Sequence, residues 1–236
     1  MIASTHETIR RHTQFFLLCL ALTPLNAWAE PAIAIIGHTT AYGTISYPII
    51  SGLANERAEQ RINHAISRIV STWSCDDNNP NPTELRLKYL QENRKNFSFS
   101  ATSTVRLIDS HFFSFTTKTN YYCGGPHPGE SYDGYTFDIN SGKLISLNDL
   151  LAPELQGEAL TKFLVTGHKF VNSCMDETGK NDMADTYDPE TFPNEYWGFY
   201  RTSGSIVFIP PLPHAVWACL EEFPVSLEAL KPYLRQ

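Results

Sequence analysis

The sequence predicts an α+β fold in which an antiparallel β-sheet carries helices packed on one face. Several segments alternate apolar and polar residues with the period of two that a half-buried strand requires. Fewer segments repeat their apolar residues at helical spacing. The strand-like segments mostly follow one another directly, with the helices gathered between these runs, and this order is typical of an α+β protein.

The predicted strands are bounded by turn residues. The first strand covers residues 45–50 and ends at Ser51 and Gly52. Residues 97–107 and 112–122 alternate as the two strands of an antiparallel pair. Three shorter strands are expected nearer the C-terminus, at residues 196–199, 205–209 and 223–225.

A hairpin at residues 135–147 carries a clear turn signal. Its first strand, residues 135–139, alternates apolar and polar side chains. The turn is formed by residues 140–142, in which Gly142 is free to adopt positive φ. We expect the carboxylate of Asp138 to accept hydrogen bonds from backbone N–H groups of this turn.

The main predicted helix begins after Asn55, a good N-cap residue, and ends near Trp73. Its apolar residues share one face, so we expect it to pack on the sheet. Another helix follows Pro153, which is allowed in a first helical turn, and extends to about Val171. Two shorter helices are expected at residues 84–93 and 227–234.

Residues 1–29 have the pattern of a secretory signal peptide. Arg10 and Arg11 precede the apolar run 15–22, and Ala27 and Ala29 stand where a signal peptidase reads small residues. The run is too short to span a bilayer, and no later segment is long and apolar enough to do so. We therefore expect cleavage after residue 29 and a periplasmic or secreted protein without a membrane anchor.

Roughly 200 residues remain after cleavage, enough for one compact domain or two small ones. We divide them into a small N-terminal α/β subdomain, residues 30–95, and a C-terminal α+β domain, residues 96–236. Aromatic residues make up 12% of the chain, which supports a substantial core. The net charge of −7 and the lack of a basic stripe make nucleic acid an unfavourable partner.

The chain has five cysteines, and all except Cys19 lie beyond the signal peptide. An even number in an exported chain indicates two disulfides, for which three connectivities exist. We favour Cys75–Cys123 with Cys174–Cys219, because each pair joins a cysteine after a predicted helix to one after an aromatic run. There is no C-x-x-C pair, and the histidines lack metal-ligand spacing, so we expect no metal and no cofactor.

Residues 121–151 join a loop rich in glycine and proline, residues 124–129, to the hairpin. They resemble the C-terminal domain of the RsiV-type family, whose members carry a Y-x-G-G-A-H loop and then Y-x-F-D-x-x-T-G-K-x-x-x-L-x-D-L-F. Pro126 and Ser141 are departures from this pattern. The matching residues are Gly124, Gly125, His127, Tyr135, Phe137, Asp138, Gly142, Lys143, Leu147, Asp149 and Leu150.

A second resemblance lies upstream of this segment. Residues 47–53 and 61–66 are similar to the P-x-I-x-G strand and I-N-x-x-I helix of the small domain that often precedes the RsiV-type domain. The two resemblances together cover most of the chain after residue 40.

His127 is the first candidate functional residue. Its imidazole titrates near neutral pH, and Asp133 or Asp138 could orient it as a general acid or base. The alternative is that the ring bonds backbone groups and fixes the loop. We favour this alternative because no catalytic motif accompanies His127, and we regard His127 and Glu130 as candidate binding residues.

Residues 176–195 are strongly acidic, with Lys180 as the only opposing charge. We expect a recognition surface for a cationic partner here, although a solvated loop is the simpler interpretation. A calcium site is disfavoured because the D-x-D-x-D-G pattern is absent. The aromatics beside the acids are either interface anchors or core residues of the next strand. The candidate binding residues are Asp182, Asp185, Asp188, Tyr187 and Trp197.

The best-known RsiV-type protein is a lysozyme-binding anti-sigma factor, so the resemblance implies a binding protein and adds no catalytic residue. We expect an exported protein that recognises or inhibits a lysozyme-like peptidoglycan hydrolase, a class that is often basic. Signalling to a sigma factor is not expected, because we predict neither a cytoplasmic segment nor an anchor.

Two alternatives are a hydrolase or deacetylase acting on cell-wall glycan or peptide, and a structural envelope domain. Clustering of His127, Asp133 and Asp138 in one pocket would favour an enzyme, and their separation would favour binding.

Overall fold

The computed structural model describes residues 31–40, 42–73, 75, 92, 96–124, 127–167, 197–210 and 222–235. The first part of the chain forms strands β1 (Ala32–Thr39) and β2 (Thr44–Ser51), helix α1 (Glu56–Ser71), and strands β3 (Ser98–Ile108), β4 (Phe112–Tyr122) and β5 (Gly129–Asp138). The second part forms helices α2 (Leu147–Leu150) and α3 (Glu158–Gly167), strands β6 (Gly198–Arg201), β7 (Ser205–Ile209) and β8 (Phe223–Ser226), and helix α4 (Leu227–Leu230). Two 3₁₀ turns lie at Pro153–Leu155 and Lys231–Tyr233.

The described strands form two sheets, so the fold is α+β as predicted. A five-stranded sheet has the order β1-β2-β3-β4-β5, and a three-stranded sheet has the order β6-β7-β8. The β3–β4 pair is antiparallel, which confirms the predicted pairing. The described sheets are mainly antiparallel, as predicted, but β2 and β3 run parallel, with Ile45 opposite Ala101. The cause is α1, which lies between these strands in sequence and returns the chain to the end of the sheet where β2 began.

The elements form four layers, with α1, the larger sheet, the smaller sheet and then α3. Ile62 and Ile66 of α1 share a buried cluster with Phe113, Phe115 and Phe137. Residues of β4 and β5 that alternate with these phenylalanines point to the opposite face, where the smaller sheet packs. Only α1 of the described helices therefore packs on the larger sheet.

The contact between the two sheets is close and includes a hydrogen bond. The backbone N–H of Arg201 in β6 donates to Oγ of Ser114 in β4 at 3.2 Å. A Cβ atom on Gly134 in β5 would lie 2.3 Å from the carbonyl oxygen of Phe199 in β6. The glycine therefore allows the two backbones to approach.

Helix α1 is capped and tied to β2 by side-chain amides. Asn55 is the N-cap as predicted, and its Oδ1 accepts from the N–H groups of Arg57 and Ala58. Asn63 donates from Nδ2 to the carbonyl of Ile50 at 2.8 Å and accepts from the Ile50 N–H at 3.0 Å. The Asn63 side chain thus satisfies both backbone groups of a residue in β2.

The turn after β5 confirms the roles expected for Asp138 and Gly142. Oδ1 of Asp138 accepts from the N–H of Asn140 at 3.0 Å and from the N–H of Ser141 at 2.6 Å. Gly142 has φ of 74°. The return strand of the predicted hairpin is reduced to a single bridge between Phe137 and Leu144, because the chain turns into α2 at Leu147.

Cys75 and Cys123 form a disulfide, which confirms the pairing favoured from the sequence. The proposed Cys174–Cys219 bridge and Val171 lie outside the described residues, as does the helix predicted at 84–93 except for residue 92. The division at residue 95 stays a prediction, and the strands on either side of it, β2 and β3, share one sheet.

Candidate functional site

An open groove lies at one end of the larger sheet. Its volume is about 360 Å³. It is bounded by the turn between β1 and β2, the start of β3, the end of β4 and the start of β5. The lining residues are Tyr42, Gly43, Ser98, Phe99, Ser100, Asn120, Tyr121, Tyr122, Pro128, Gly129 and Glu130.

Aromatic rings line part of the groove. The rings of Phe99 and Tyr121 stack across β3 and β4, with centroids 6.2 Å apart and planes 20° apart. The Tyr121 ring lies against Gly129, where a Cβ atom would come within 2.2 Å of the ring. Tyr121 is nevertheless 38% exposed. An exposed aromatic residue held in a fixed position is the kind of side chain that anchors a binding partner.

Hydrogen bonds fix the turn on the other side of the groove. The N–H of Thr40 donates to the carbonyl of Gly43 at 2.7 Å, and the N–H of Phe99 donates to the carbonyl of Tyr42 at 2.9 Å. The Tyr42 ring packs near Phe97, with centroids 5.9 Å apart. The turn is therefore held against the first residues of β3.

The disulfide braces the same end of the sheet. Cys123 directly follows β4, and Sγ of Cys75 lies 3.5 Å from the carbonyl oxygen of Tyr122 and 3.6 Å from that of Ser98. The disulfide thus holds the segment after α1 beside Tyr122 and Ser98, which both line the groove.

One ion pair lies at the rim of the groove. Nζ of Lys118 is 3.4 Å from Oε2 of Glu130, and their side chains are 56% and 41% exposed. A pair this exposed contributes little to stability. Either side chain can therefore leave this ion pair and bind a charged group of a partner at little cost to stability.

A second polar cluster joins the two sheets. Nη2 of Arg106 donates to the hydroxyl of Tyr132 at 2.8 Å, and that hydroxyl donates to Oε1 of Glu222 at 2.6 Å. The hydroxyl of Tyr200 donates to Oε2 of the same carboxylate at 3.0 Å. Burial, followed by these hydrogen bonds to Glu222, raises the pKa of both tyrosines. The cluster therefore keeps both phenols protonated as donors and connects β3, β5, β6 and the start of β8.

Asp133 is half-buried on the face of β5 that carries the phenylalanine core. Its Oδ2 accepts from Oγ of Ser131 at 3.0 Å, and this hydroxyl also contacts Oγ1 of Thr119 at 2.5 Å. Burial raises the pKa of Asp133, and the bond from Ser131 opposes this rise. The surroundings thus favour a protonated carboxyl group more than water does.

The three residues considered for catalysis do not form one site. His127 is exposed in the loop before β5. Asp133 and Asp138 lie on opposite faces of β5, since side chains alternate along a strand. The Asp138 carboxylate is already bonded to its turn.

Of the residues predicted to bind a partner, Glu130 lines the groove, and His127 stands one residue before its lining. Trp197 is only 4% exposed. Its Nε1 donates to Oγ1 of Thr161 at 3.1 Å, and its ring meets Phe223 edge to face. Trp197 is therefore a core residue and not an exposed interface anchor. The remaining candidates, Asp182, Asp185, Tyr187 and Asp188, lie outside the described residues.

Within the described ranges, no three His, Cys, Asp or Glu side chains come together in a group that could hold a metal ion. None of the described helices has the length and apolar character needed to cross a bilayer.

Two parts of this surface were not predicted from the sequence. Tyr42 comes from the turn before β2, and no motif marked it. The residues of the polar cluster lie far apart in the chain, with Tyr132 and Glu222 separated by 90 positions. Only strand pairing and sheet packing bring such residues together, so no local pattern could have identified them.

The four-layer α+β arrangement defines the class of fold, and the chain is similar in fold to solved structures. The chain is similar to a member of the DUF3298 family from Bacteroides fragilis, with a TM-score of 0.54 and 16% identity over 88% of this chain and 94% of that one. It is also similar to a DUF3298 family protein from Pseudomonas aeruginosa, with a TM-score of 0.50 and 11% identity over 87% of this chain and 94% of that one. At these identities the likeness shows the fold alone.

No protein-family model matches the sequence. No curated protein matches it either.

Proposed function

We propose that this chain is an exported envelope protein of the RsiV type that binds a lysozyme-like peptidoglycan hydrolase. The observation that carries the proposal is the aromatic groove, because the loop that resembles the RsiV-type motif supplies one of its edges through Pro128 and Gly129. The likeness to DUF3298 structures over most of the chain supports the RsiV-type fold and not the partner, because DUF3298 proteins are related to RsiV-like domains.

The groove suits a protein partner better than a small molecule. Pockets for small ligands enclose most of the ligand surface, whereas this groove is open along the sheet end. It offers the exposed Tyr121 as an anchor and Glu130 as a rim charge. The net charge of −7 favours encounter with a basic enzyme.

Catalysis by this chain is the less favoured alternative. His127 lies outside β5, and Asp133 and Asp138 point to opposite faces of that strand. A general acid and its orienting carboxylate must lie within hydrogen-bond reach, and the separation of these residues supports binding instead.

The test is calorimetric titration of the mature, oxidised protein with c-type lysozyme at low and at physiological salt. We expect a complex whose affinity falls as salt rises. Tyr121→Ala should weaken binding by about tenfold or more, because it removes a central aromatic anchor. Leu144→Ala is the matched control, since Leu144 is 42% exposed but lies at the turn after β5 and not in the groove.

Absence of a complex at both salt concentrations would contradict the proposed partner. Equal affinities for the wild type and Tyr121→Ala would show that the groove is not the binding surface. Far-UV circular dichroism of each variant checks that the fold is intact.

A further inference from the structure

Strand β1 is an edge of the larger sheet, and no other described strand pairs with its outer side. It is the last strand in the sheet order, and within the described part of the chain it pairs only with β2. Natural edge strands usually carry a charge, a proline or a bulge that prevents further pairing. β1 reads AIAIIGHT, has an unbroken register with β2, and leaves Ile35 50% and Ile36 37% exposed.

The contacts of β2 show which backbone groups of β1 face outward. Both backbone groups of Ile50 bond the Asn63 side chain, so they point away from β1. Ile33 lies opposite Ile50. The two therefore form a non-hydrogen-bonded pair, in which each residue directs its N–H and C=O away from the other. Ile33 thus presents both groups at the free edge.

The alternation of the ladder extends this assignment along the strand. Ile35 and Gly37 follow Ile33 at intervals of two, so their N–H and C=O groups also face outward. Ile35 lies opposite Pro48, and a proline has no N–H with which to complete a hydrogen-bonded pair. The hydrogen bonds of Asn63 to Ile50 and the missing N–H of Pro48 therefore lead to the same assignment. β1 offers a row of regularly spaced donors and acceptors at its outer side.

The absence of charged side chains near β1 favours a second copy of the chain as the partner of this edge. Residues 31–55 contain no Asp, Glu, Lys or Arg, although the chain has 25 acidic and 18 basic residues. Two copies with a net charge of −7 repel one another, and an uncharged face is where this repulsion is weakest. A basic partner, in contrast, finds no carboxylate on β1 or β2.

We infer that β1 pairs antiparallel with β1 of a second copy, which joins the two sheets into one continuous sheet. In a register centred on Ile35, the Ile35 residues of the two copies are opposite each other, and Ile33 is opposite Gly37. In this register the outward N–H and C=O groups of one copy lie opposite those of the other copy, and no like charges are placed together. A single pair of strands buries less than the roughly 800 Å² per partner of a standard interface, so the dimer should dissociate on dilution.

Analytical ultracentrifugation of the mature, oxidised protein from low micromolar to near millimolar concentration tests the inference. We expect the mass to rise from monomer to dimer over this range. Ile35→Lys should raise the dissociation constant by about tenfold or more, because it places two like charges directly opposite each other. Ile35→Pro should act similarly, because it removes an outward donor and leaves the ladder to β2 intact.

Ile108→Lys is the control, since Ile108 is an exposed isoleucine, 37% against 50% for Ile35, but lies at the end of β3. Its dissociation constant should equal that of the wild type. A monomer at every concentration, or a dimer that both Ile35 variants leave unchanged, would overturn the inference. Hydrogen exchange tests the wild type without any substitution. If the amides of Ile33, Ile35 and Gly37 gain no protection as the protein concentration rises, the inferred dimer is overturned.

Discussion

The turn after β5 shows how single residues join the larger sheet to α1. Nδ2 of Asn55, the cap of α1, donates to the carbonyl of Asn140 at 2.7 Å. Nη1 of Arg61 donates to the carbonyl of Ser141 at 3.1 Å. Gly142 packs so closely on the helix that a Cβ atom would lie 2.6 Å from the carbonyl oxygen of Ala58. The turn therefore docks on the first two turns of α1.

Gly142→Ala should lower the free energy of unfolding by about 2–4 kcal/mol, from the strain of positive φ and the crowding against α1. Gly157→Ala separates the two causes. Gly157 also has positive φ, 62°, but nothing lies within 4 Å of its added Cβ. We expect this control to lose only about 1–2 kcal/mol. Equal losses in urea unfolding would contradict the proposed crowding.

Asp149 links stability to pH. Its carboxylate bonds Lys143 and accepts from the N–H and Oγ of Ser146, and these bonds lower its pKa to about 2. Because the folded pKa lies below the ordinary value of 3.8, the stabilisation is complete above that value and disappears as the pH falls toward 2.

Asp149→Asn should therefore lower the melting temperature at pH 7 and have a much smaller effect near pH 2, where part of the carboxyl population is protonated. The loss at pH 7 should be about 1 kcal/mol or less, because the group is exposed and solvent weakens its interactions. Lys143→Gln removes the main cause of the shift and should reproduce part of the loss. A difference for Asp149→Asn that persists unchanged at pH 2 would exclude the ionised carboxylate as its source.

Local sequence patterns predicted the positions of strands better than they predicted which strands pair with each other. The bounds of β4 and β7 agree with the alternation in their sequences, and Ser226 caps α4 as a serine before a helix should. β1 was not predicted, because most of its side chains are exposed on both faces and its apolar residues do not alternate. The parallel pairing of β2 and β3 also escaped prediction, because it depends on the path of α1.

The close packing of β5 on β6 depends on Gly134. Gly134→Ala should lower the free energy of unfolding by about 1–3 kcal/mol, because the added methyl group would press on the Phe199 carbonyl. Gly204→Ala is the control, since nothing lies within 4 Å of its Cβ, and its effect should stay within about 0.5 kcal/mol. If chemical denaturation gives equal midpoints for the two variants, the close approach of the sheets does not limit stability.

From the sequence, the candidate site could be predicted along only one edge of the groove. Of the predicted binding residues, Glu130 lines the groove, and Pro128 and Gly129 beside it belong to the predicted loop rich in glycine and proline. Tyr42 and Phe99 reach the same groove through the β1–β2 turn and the start of β3, and nothing in their local sequence indicates this meeting. Trp197 was misplaced for a related reason, because a short aromatic segment beside acids does not reveal which side chains the second sheet will bury.

The parallel contact between β2 and β3 also sets a time order for synthesis. A ribosome adds about 5–20 residues per second, so Ala101 follows its partner Ile45 by roughly 3–11 s. The adjacent β1 and β2 can form a hairpin within microseconds of emerging. During those seconds a nascent hairpin rich in isoleucine and free of charged side chains lacks both its third strand and the phenylalanines of β4 and β5. We therefore expect this segment to be a site at which a holding chaperone binds the unfinished chain.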